Sequence, residues 1–125
     1  MKMYEYMGKE LFAKYGIPIP KGRVARTPEE AGQITAEIGD CVIKSQILSG
    51  KRGKAGGIKF TTDPHEARNF AQDLLGSELR GLIVDAVLVE EKLKIDKEYY
   101  LAITIDRGAK CPVILASTQG GMDIE

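Results

Sequence analysis

The sequence predicts a mixed α/β or α+β fold, and three observations predict it. Apolar patterns with helical spacing alternate with short β-rich runs along the chain. Two segments carry the capping residue and the proline that mark helix starts. Hydrophobic residues make up 43 % of the 125 positions, which is enough for one core. We therefore expect one domain, or one lobe together with pieces of another.

The first helix is predicted over residues 2–15 by a single apolar stripe. The members of the stripe recur at helical spacing: Tyr4, Met7, Leu11 and Tyr15, with Phe12 alongside. Gly16 fits the left-handed position just past a helix end, and Pro18 prevents continuation of the helix. Residues 17–20 are therefore expected to form an extended connector.

Two further helices are predicted from their N-terminal caps. In residues 27–30 (Thr-Pro-Glu-Glu) the hydroxyl can cap the helix, the proline fits the first helical position, and Glu30 can reach back. Residues 63–66 (Asp-Pro-His-Glu) repeat this arrangement, and Gly76 marks the end of that helix.

Short β-rich runs predict five strands. These runs lie at residues 41–46, 58–62, 83–90, 99–106 and 112–117. The last two are expected to form a hairpin across a turn at residues 107–110. The predicted order is therefore helix, helix, strand, glycine-rich loop, strand, helix and three strands.

The charge balance restricts the classes of function. Lys and Arg total 18, as do Asp and Glu, which disfavours a globally basic nucleic-acid binder. No apolar run approaches the ~20 residues of a membrane-spanning helix, and the N-terminus lacks the apolar block of a signal peptide. Cys41 and Cys111 lie in strand-like runs without CxxC spacing. We expect a cytoplasmic protein in which both thiols are reduced and buried.

A basic glycine-rich loop is the most informative stretch of the sequence. Residues 42–57 hold four glycines and four basic residues, namely Lys44, Lys51, Arg52 and Lys54. Glycines let the backbone approach a polyphosphate closely, while the cations neutralise its charge. Lys44 lies inside an apolar strand, where its ammonium needs a partner. These features predict phosphate binding, and a solvated flexible hairpin is the competing interpretation.

A second group of polar residues follows the strand at residues 83–90. Backbone groups just past a strand end can hydrogen-bond the edge of an adenine, and a carboxylate can hold ribose hydroxyls. Glu90 and Glu98 are the candidate carboxylates. The competing interpretation is that both are surface residues at strand ends.

Segments in register along essentially the whole chain carry a family resemblance. They lie at residues 4–6, 9–12, 15–20, 27–31, 42–46, 52–57, 88–90, 97–101 and 116–121. Together these segments resemble the opening of the β subunit of succinate–CoA ligase, an ATP-grasp enzyme. The resemblance implies an ATP-grasp N-terminal lobe at residues 21–101. Residues 1–20 and 102–125 would be incomplete pieces of the second lobe, and the chain would be a fragment truncated after residue 125.

The resemblance also implies that ATP lies between two lobes and contacts seven residues. These are Lys44, Lys51, Arg52, Gly53, Glu90, Leu93 and Glu98. Lys44 would hold a nucleotide phosphate, and the backbone of residues 51–53 would cover the phosphates. Glu90 and the main chain near Leu93 would meet the adenine, and Glu98 would meet the ribose. Two positions depart from the family, which usually has glycine at Lys51 and often has a small or polar residue at Leu93.

The full enzyme of this family belongs to the tricarboxylic acid cycle. It converts succinate, CoA and ATP to succinyl-CoA, ADP and phosphate through a phosphohistidine on a partner α subunit, in a heterodimer or heterotetramer. The resemblance implies no catalytic residue here, Mg²⁺ ligands beyond residue 125, and a fragment that is inactive alone. His65, the only histidine, is expected at the surface of a capped helix and not in catalysis.

The sequence also leaves other functions open. The runner-up is the β subunit of another ADP-forming acyl-CoA ligase, of acetyl, malate or citrate type, which these residues cannot separate from the first because none would contact the acid. A small nucleic-acid-binding module and a non-catalytic interaction domain are the alternatives of a different class. We expect no membrane partner and no nucleic-acid partner. We also expect the first helix to pack against the C-terminal hairpin.

Overall fold

The computed structural model describes residues 2–121, which contain three helices and eight strands. In chain order the elements are α1 (Glu5–Lys14), β1 (Gly22–Ala25), α2 (Pro28–Ile38), β2 (Cys41–Ser45), β3 (Ile58–Thr61), α3 (Pro64–Leu74), β4 (Glu78–Leu79), β5 (Leu82–Ile83), β6 (Val87–Glu91), β7 (Tyr100–Asp106) and β8 (Cys111–Ser117). Two compact units divide the chain between Leu93 and Lys94. The mixture of helices and strands agrees with the predicted fold class.

The first unit is built on a four-stranded antiparallel sheet in the order β1-β6-β2-β3. Strands β2 and β6 are central and apolar, as the long runs of Val, Ile and Leu predict. Alternate side chains of these strands, together with side chains of α2 and α3, form a core of fully or nearly buried residues. The core consists of Ala25, Ala31, Ile34, Cys41, Ile43, Ile47, Ala67, Ala71, Leu74, Val84, Val87 and Val89.

The predicted caps of α2 and α3 are confirmed. The Thr27 hydroxyl accepts a hydrogen bond from the Glu30 amide at 3.2 Å. The Asp63 carboxylate accepts one from the His65 amide at 2.9 Å. The Glu30 side chain reaches back to the amide of Arg26, 2.7 Å away, rather than to that of the capping residue. The bonds to Thr27 and Asp63 each satisfy an amide that lacks a partner in the first turn of a helix.

Two features of the sheet were not predicted from the sequence. Strand β1 lies in a stretch to which no element was assigned, because an exposed edge strand with only Ala25 fully buried has no apolar alternation. The prediction of a single strand at residues 83–90 is wrong in its first half, since β6 begins only at Val87. Residues 82–83 instead pair with residues 78–79 in a two-residue hairpin, whose turn places Arg80 and Gly81 at positive φ.

The second unit contains the predicted hairpin. Strands β7 and β8 pair from Tyr100 opposite Ser117 to Asp106 opposite Cys111. The Asp106 carboxylate caps the turn by accepting hydrogen bonds from the amides of Gly108 and Ala109 at 2.8 and 2.9 Å. Two expectations stay predictions. One is that α1 packs against this hairpin, and the other is that residues 21–101 form one lobe.

The cysteine prediction is right for one thiol and wrong for the other. Both cysteines are free. Cys41 is fully buried beneath α2, where its sulfur lies 3.3 Å from the Thr35 hydroxyl and burial raises the pKa of the thiol. Cys111 is exposed, because it starts a strand of a two-stranded sheet over which the described part of the second unit packs no helix.

Candidate functional site

The pairing of β2 with β6 places Lys44 and Glu90 on the same face of the sheet. Val42 lies opposite Glu90, and Lys44 lies opposite Leu88. Because strand side chains alternate, these residues point away from the core formed with α2 and α3. Lys44 and Glu90 are therefore diagonal neighbours across two hydrogen-bonded strands, within reach of each other.

Five charged side chains meet on this face, and we call them the charge cluster: Glu5, Lys9, Lys44, Arg52 and Glu90. The Lys44 ammonium donates to the Glu90 carboxylate and, at 3.1 Å, to Glu5. The Lys9 ammonium also contacts both carboxylates, Glu5 at 3.0 Å and Glu90. The Arg52 guanidinium donates to Glu5. Three cations therefore surround two carboxylates.

The cluster is largely shielded from solvent, which strengthens its electrostatics. The Glu90 side chain is 3 % exposed, and the other four side chains are each about one-fifth exposed. Burial would raise the pKa of Glu5, but the positive charges of Lys44, Arg52 and Lys9 lower it to about 2. Burial would lower the pKa of Lys44, but Glu5 and Glu90 raise it above its usual value. Both groups are therefore charged at neutral pH.

The glycine-rich loop joins β2 to β3 and carries Arg52 into the cluster. The loop folds back on itself where the Arg52 carbonyl accepts hydrogen bonds from the amides of Ala55 and Gly57, at 3.1 and 2.9 Å. The guanidinium of Arg52 donates to the Ser45 carbonyl at 3.1 Å as well as to Glu5. Arg52 is therefore positioned by its backbone and by its side chain.

Gly57 is required where the loop returns to the sheet. Its carbonyl accepts the Ser45 amide at 2.8 Å, which extends the pairing of β2 by one bond. A Cβ at this position would lie 2.3 Å from the Ser45 hydroxyl and 2.6 Å from the Leu79 side chain. Only a residue without a side chain allows the loop to close this tightly.

The structure brings together three of the seven predicted nucleotide-binding residues. Lys44, Arg52 and Glu90 belong to the charge cluster, which also supplies the partners that a lysine in an apolar strand requires. Lys51 and Gly53 lie beside Arg52 in the loop, with Lys51 exposed and Gly53 half-buried.

The other two predicted residues lie nearer the C-terminus. Leu93 is about half exposed at the end of the first unit. Glu98 belongs to the second unit, where its carbonyl accepts the Gly120 amide at 3.1 Å. The nucleotide contacts of all seven residues stay predictions.

Lys51 adopts a backbone conformation that glycine favours. Its φ is +61°, in the left-handed region that L-residues with a side chain rarely occupy. This conformation costs about 1 kcal/mol in backbone strain for a residue with a side chain.

Two members of the charge cluster were not identified from the sequence. Glu5 and Lys9 lie four positions apart on α1, a spacing that predicts an ion pair along one helix. That spacing was visible in the sequence. Their contacts with Lys44 and Glu90 were not, because they depend on how α1 lies on the sheet.

The ATP-grasp domain family matches residues 2–125. The chain belongs to the ATP-grasp family. It is 55 % identical over its whole length to the β subunit of the ADP-forming succinate–CoA ligase of Methanothermobacter thermautotrophicus, and covers 34 % of that protein. It is 49 % identical, again over its whole length, to the β subunit of the GDP-forming enzyme of Thermus thermophilus, and covers 33 % of it. This ATP-grasp chain thus spans about a third of the length of these relatives.

Solved structures agree with the ATP-grasp assignment of the fold. The acetyl-coenzyme A synthetase 1 of Ca. Korarchaeum cryptofilum matches 93 % of the chain with a TM-score of 0.70 and 23 % identity, and 53 % of that protein is covered. A phosphoribosylamine–glycine ligase from Thermotoga maritima matches 91 % of the chain with a TM-score of 0.63 and 26 % identity, over 28 % of its own length. The resemblance to the β subunit of succinate–CoA ligase and the predicted fold class are both confirmed.

The described part of the ATP-grasp chain offers no site that fits a metal ion. Among residues 2–121, no three His, Cys, Asp or Glu side chains are placed to hold one. The two carboxylates of the charge cluster are already matched by cations. No helix in the same range is long and apolar enough to cross a membrane.

Proposed function

We propose that this chain is the nucleotide-binding N-terminal part of the β subunit of an ADP-forming succinate–CoA ligase. The observation that carries the proposal is 55 % identity to such a subunit over the whole chain. The charge cluster supports it, since two cations converge beside a glycine-rich loop, as binding of a polyphosphate requires.

In this proposal the residues act on the nucleotide from the phosphates to the sugar. Lys44 and Arg52 hold phosphate oxygens, and the backbone of residues 51–53 covers the phosphate chain. Glu90 and the main chain near Leu93 meet the adenine. Glu98, in the second unit, holds the ribose hydroxyls. Binding and orientation of the nucleotide, rather than bond breaking, is what these residues contribute.

The complete enzyme would form succinyl-CoA from succinate, CoA and ATP in the tricarboxylic acid cycle. We propose that its phosphohistidine lies on a partner α subunit, that the assembly is a cytoplasmic heterodimer or heterotetramer, and that no nucleic acid is bound. Mg²⁺ would accompany the nucleotide through ligands beyond residue 125. The 125-residue chain alone is expected to be inactive and to bind nucleotide weakly, because part of the binding surface is missing.

A second candidate function is the β subunit of another ADP-forming acyl-CoA ligase of acetyl, malate or citrate type. The fold likeness to an acetyl-coenzyme A synthetase favours keeping it. An assay of the complete enzyme with a panel of acids, each with ATP and with GTP, separates the candidates. Turnover with succinate above all other acids supports the main proposal, and preference for another acid contradicts it.

The variant Lys44→Ala in the full-length protein with its partner subunit tests the nucleotide site. We expect ATP affinity to fall at least tenfold and phosphorylation of the α subunit to slow, because a charged donor to phosphate is lost. Isothermal titration and radiolabelled phosphate transfer measure the two effects. Lys59→Ala is the matched control. Lys59 is an exposed lysine on the neighbouring strand β3, so its substitution should leave ATP affinity and phosphorylation unchanged. Unchanged affinity and phosphorylation in Lys44→Ala would contradict the assignment.

A further inference from the structure

Glu5 occupies the position that an anion would take between the cations of the charge cluster. One of its carboxylate oxygens contacts Lys9 at 3.0 Å and Lys44 at 3.1 Å, and the other accepts from Arg52. A carboxylate and a phosphate use the same kind of charged hydrogen bonds from Lys and Arg. The donors proposed for the nucleotide phosphates are therefore already engaged by this chain's own helix α1.

The number of free donors in the cluster is small. The Lys44 ammonium has three hydrogens, and it contacts Glu5 and Glu90. The Arg52 guanidinium is divided between Glu5 and the Ser45 carbonyl. A phosphate that binds both cations at short range must meet the Glu5 carboxylate there, and two anions in one shielded pocket repel each other.

We propose that Glu5 is a placeholder anion that the nucleotide phosphates displace from Lys44 and Arg52, so that docking of the first turn of α1 and binding of nucleotide oppose each other. The inference rests on the proposed function, because it assumes that Lys44 and Arg52 are phosphate ligands. Displacement also removes one negative charge from the charge cluster, which leaves three cations and one carboxylate there.

Glu5, rather than Glu90, is the carboxylate that can leave. Glu90 is held in the central strand β6 with a side chain only 3 % exposed. Helix α1 contains no fully buried residue, and its N-cap residue Tyr4 makes no side-chain capping bond. Beside the charge cluster, the Tyr6 amide donates to the Gln46 side chain at 3.2 Å. Release of the first turn therefore sacrifices a few polar contacts and little apolar packing.

The variant Glu5→Gln in the full-length protein with its partner subunit tests the inference. It keeps the size of the side chain and removes the charge, so we expect ATP to bind three- to tenfold more tightly in isothermal titration. Glu10→Gln is the matched control, because Glu10 is an exposed carboxylate on the same helix; its affinity should stay within twofold of wild type. Unchanged or weakened ATP binding in Glu5→Gln would overturn the inference.

Hydrogen exchange on the unmodified protein provides a second test that does not depend on folding of a variant. Addition of ATP should speed exchange of the amides of residues 6–9, while the core amides of β2 and β6 stay protected. Slower or unchanged exchange at residues 6–9 would contradict displacement. If ATP binds neither wild type nor Glu5→Gln, or binds Lys44→Ala as well as wild type, the proposed function fails together with the inference. If ATP binds wild type and depends on Lys44 but not on Glu5, the inference alone fails.

Discussion

At the scale of single residues, the site depends on the side chain of Lys44 and on the absence of a side chain at Gly57. Lys44 is a lysine in an apolar strand, and the carboxylates of Glu5 and Glu90 compensate for its burial. Gly57 lets the loop return against Ser45, where any Cβ would collide. Lys44 therefore contributes a positive charge, and Gly57 leaves room for the close approach of the loop to Ser45. The Gly57 amide also donates to the Arg52 carbonyl, and Lys44 shares the Glu5 carboxylate with the Arg52 guanidinium.

The variant Gly57→Ala should destabilise the chain by about 1–3 kcal/mol, because the new methyl group overlaps the Ser45 hydroxyl and the Leu79 side chain. Urea unfolding of the 125-residue chain measures the effect. Gly8→Ala is the control: nothing lies within 4 Å of its Cβ position on α1, so it should stabilise by about 0.5–1 kcal/mol. Equal changes in the free energy of unfolding for the two substitutions would contradict the requirement for glycine at the close approach of residue 57.

At the scale of elements, the charge cluster ties α1 and the glycine-rich loop to the sheet. Glu5 on α1 contacts Lys44 on β2 and Arg52 in the loop, and Lys9 on α1 contacts Glu90 on β6. The sheet also has apolar support that does not involve these contacts, because β2 and β6 pack against α2 and α3 on the opposite face. Charge pairing, rather than apolar burial, therefore decides where the first turn of α1 lies.

This pairing predicts a pH dependence of stability. Lys44, Arg52 and Lys9 lower the pKa of Glu5 from 4.5 to about 2 against the opposing effect of burial. A group with a lowered pKa in the folded state stabilises that state above its unfolded pKa and loses the effect as pH falls. The contribution of Glu5 should be complete at neutral pH, where it is at most about 3 kcal/mol, and should disappear between pH 4.5 and pH 2.

Urea unfolding of wild type and Glu5→Gln at a series of pH values measures this contribution. The difference in the free energy of unfolding should be largest near pH 7 and should shrink as the pH is lowered through 4.5. Glu37→Gln is a useful comparison, because Glu37 and Arg23 form an ion pair in which both side chains are more than half exposed, so it should contribute little. A difference for Glu5→Gln that does not change with pH would contradict the role of charge pairing.

At the scale of the whole molecule, the second unit exposes apolar side chains. Leu101, Ile103, Ile105 and Ile114 of the β7–β8 hairpin are each about two-thirds or more exposed. Contiguous apolar surface of this kind promotes association. This chain matches only about a third of the length of its relatives, so those proteins have further chain with which such a hairpin can be covered.

The 125-residue chain alone should therefore self-associate. Sedimentation velocity under reducing conditions measures this without a contribution from the exposed thiol of Cys111. The double variant Ile103→Ser and Ile114→Ser changes two residues that lie opposite each other in the hairpin, and it should shift the chain toward monomer. Thr104→Ser, a polar change on the same strand, is the control. A clean monomer of the unmodified chain at high concentration would contradict the prediction.

The parts of this molecule that follow from local chemistry were predictable from sequence. The caps at Thr27 and Asp63 and the hairpin of residues 99–117 depend on residues close in the chain, and all are present. Strand β1 was missed because an edge strand buries too little to show a pattern. Glu5 was missed because its partners Lys44 and Arg52 lie 39 and 47 residues away, a contact that no local pattern encodes.

The proposed function depends on Lys44 and Arg52 holding the phosphates of a nucleotide. The most direct measurement is a crystal structure of the full-length protein, with its partner subunit, bound to a non-hydrolysable ATP analogue. We predict phosphate oxygens within about 3 Å of the Lys44 ammonium and the Arg52 guanidinium, as charged hydrogen bonds require. A nucleotide whose phosphates lie away from the charge cluster, with Lys44 still paired only to Glu5 and Glu90, would contradict the account.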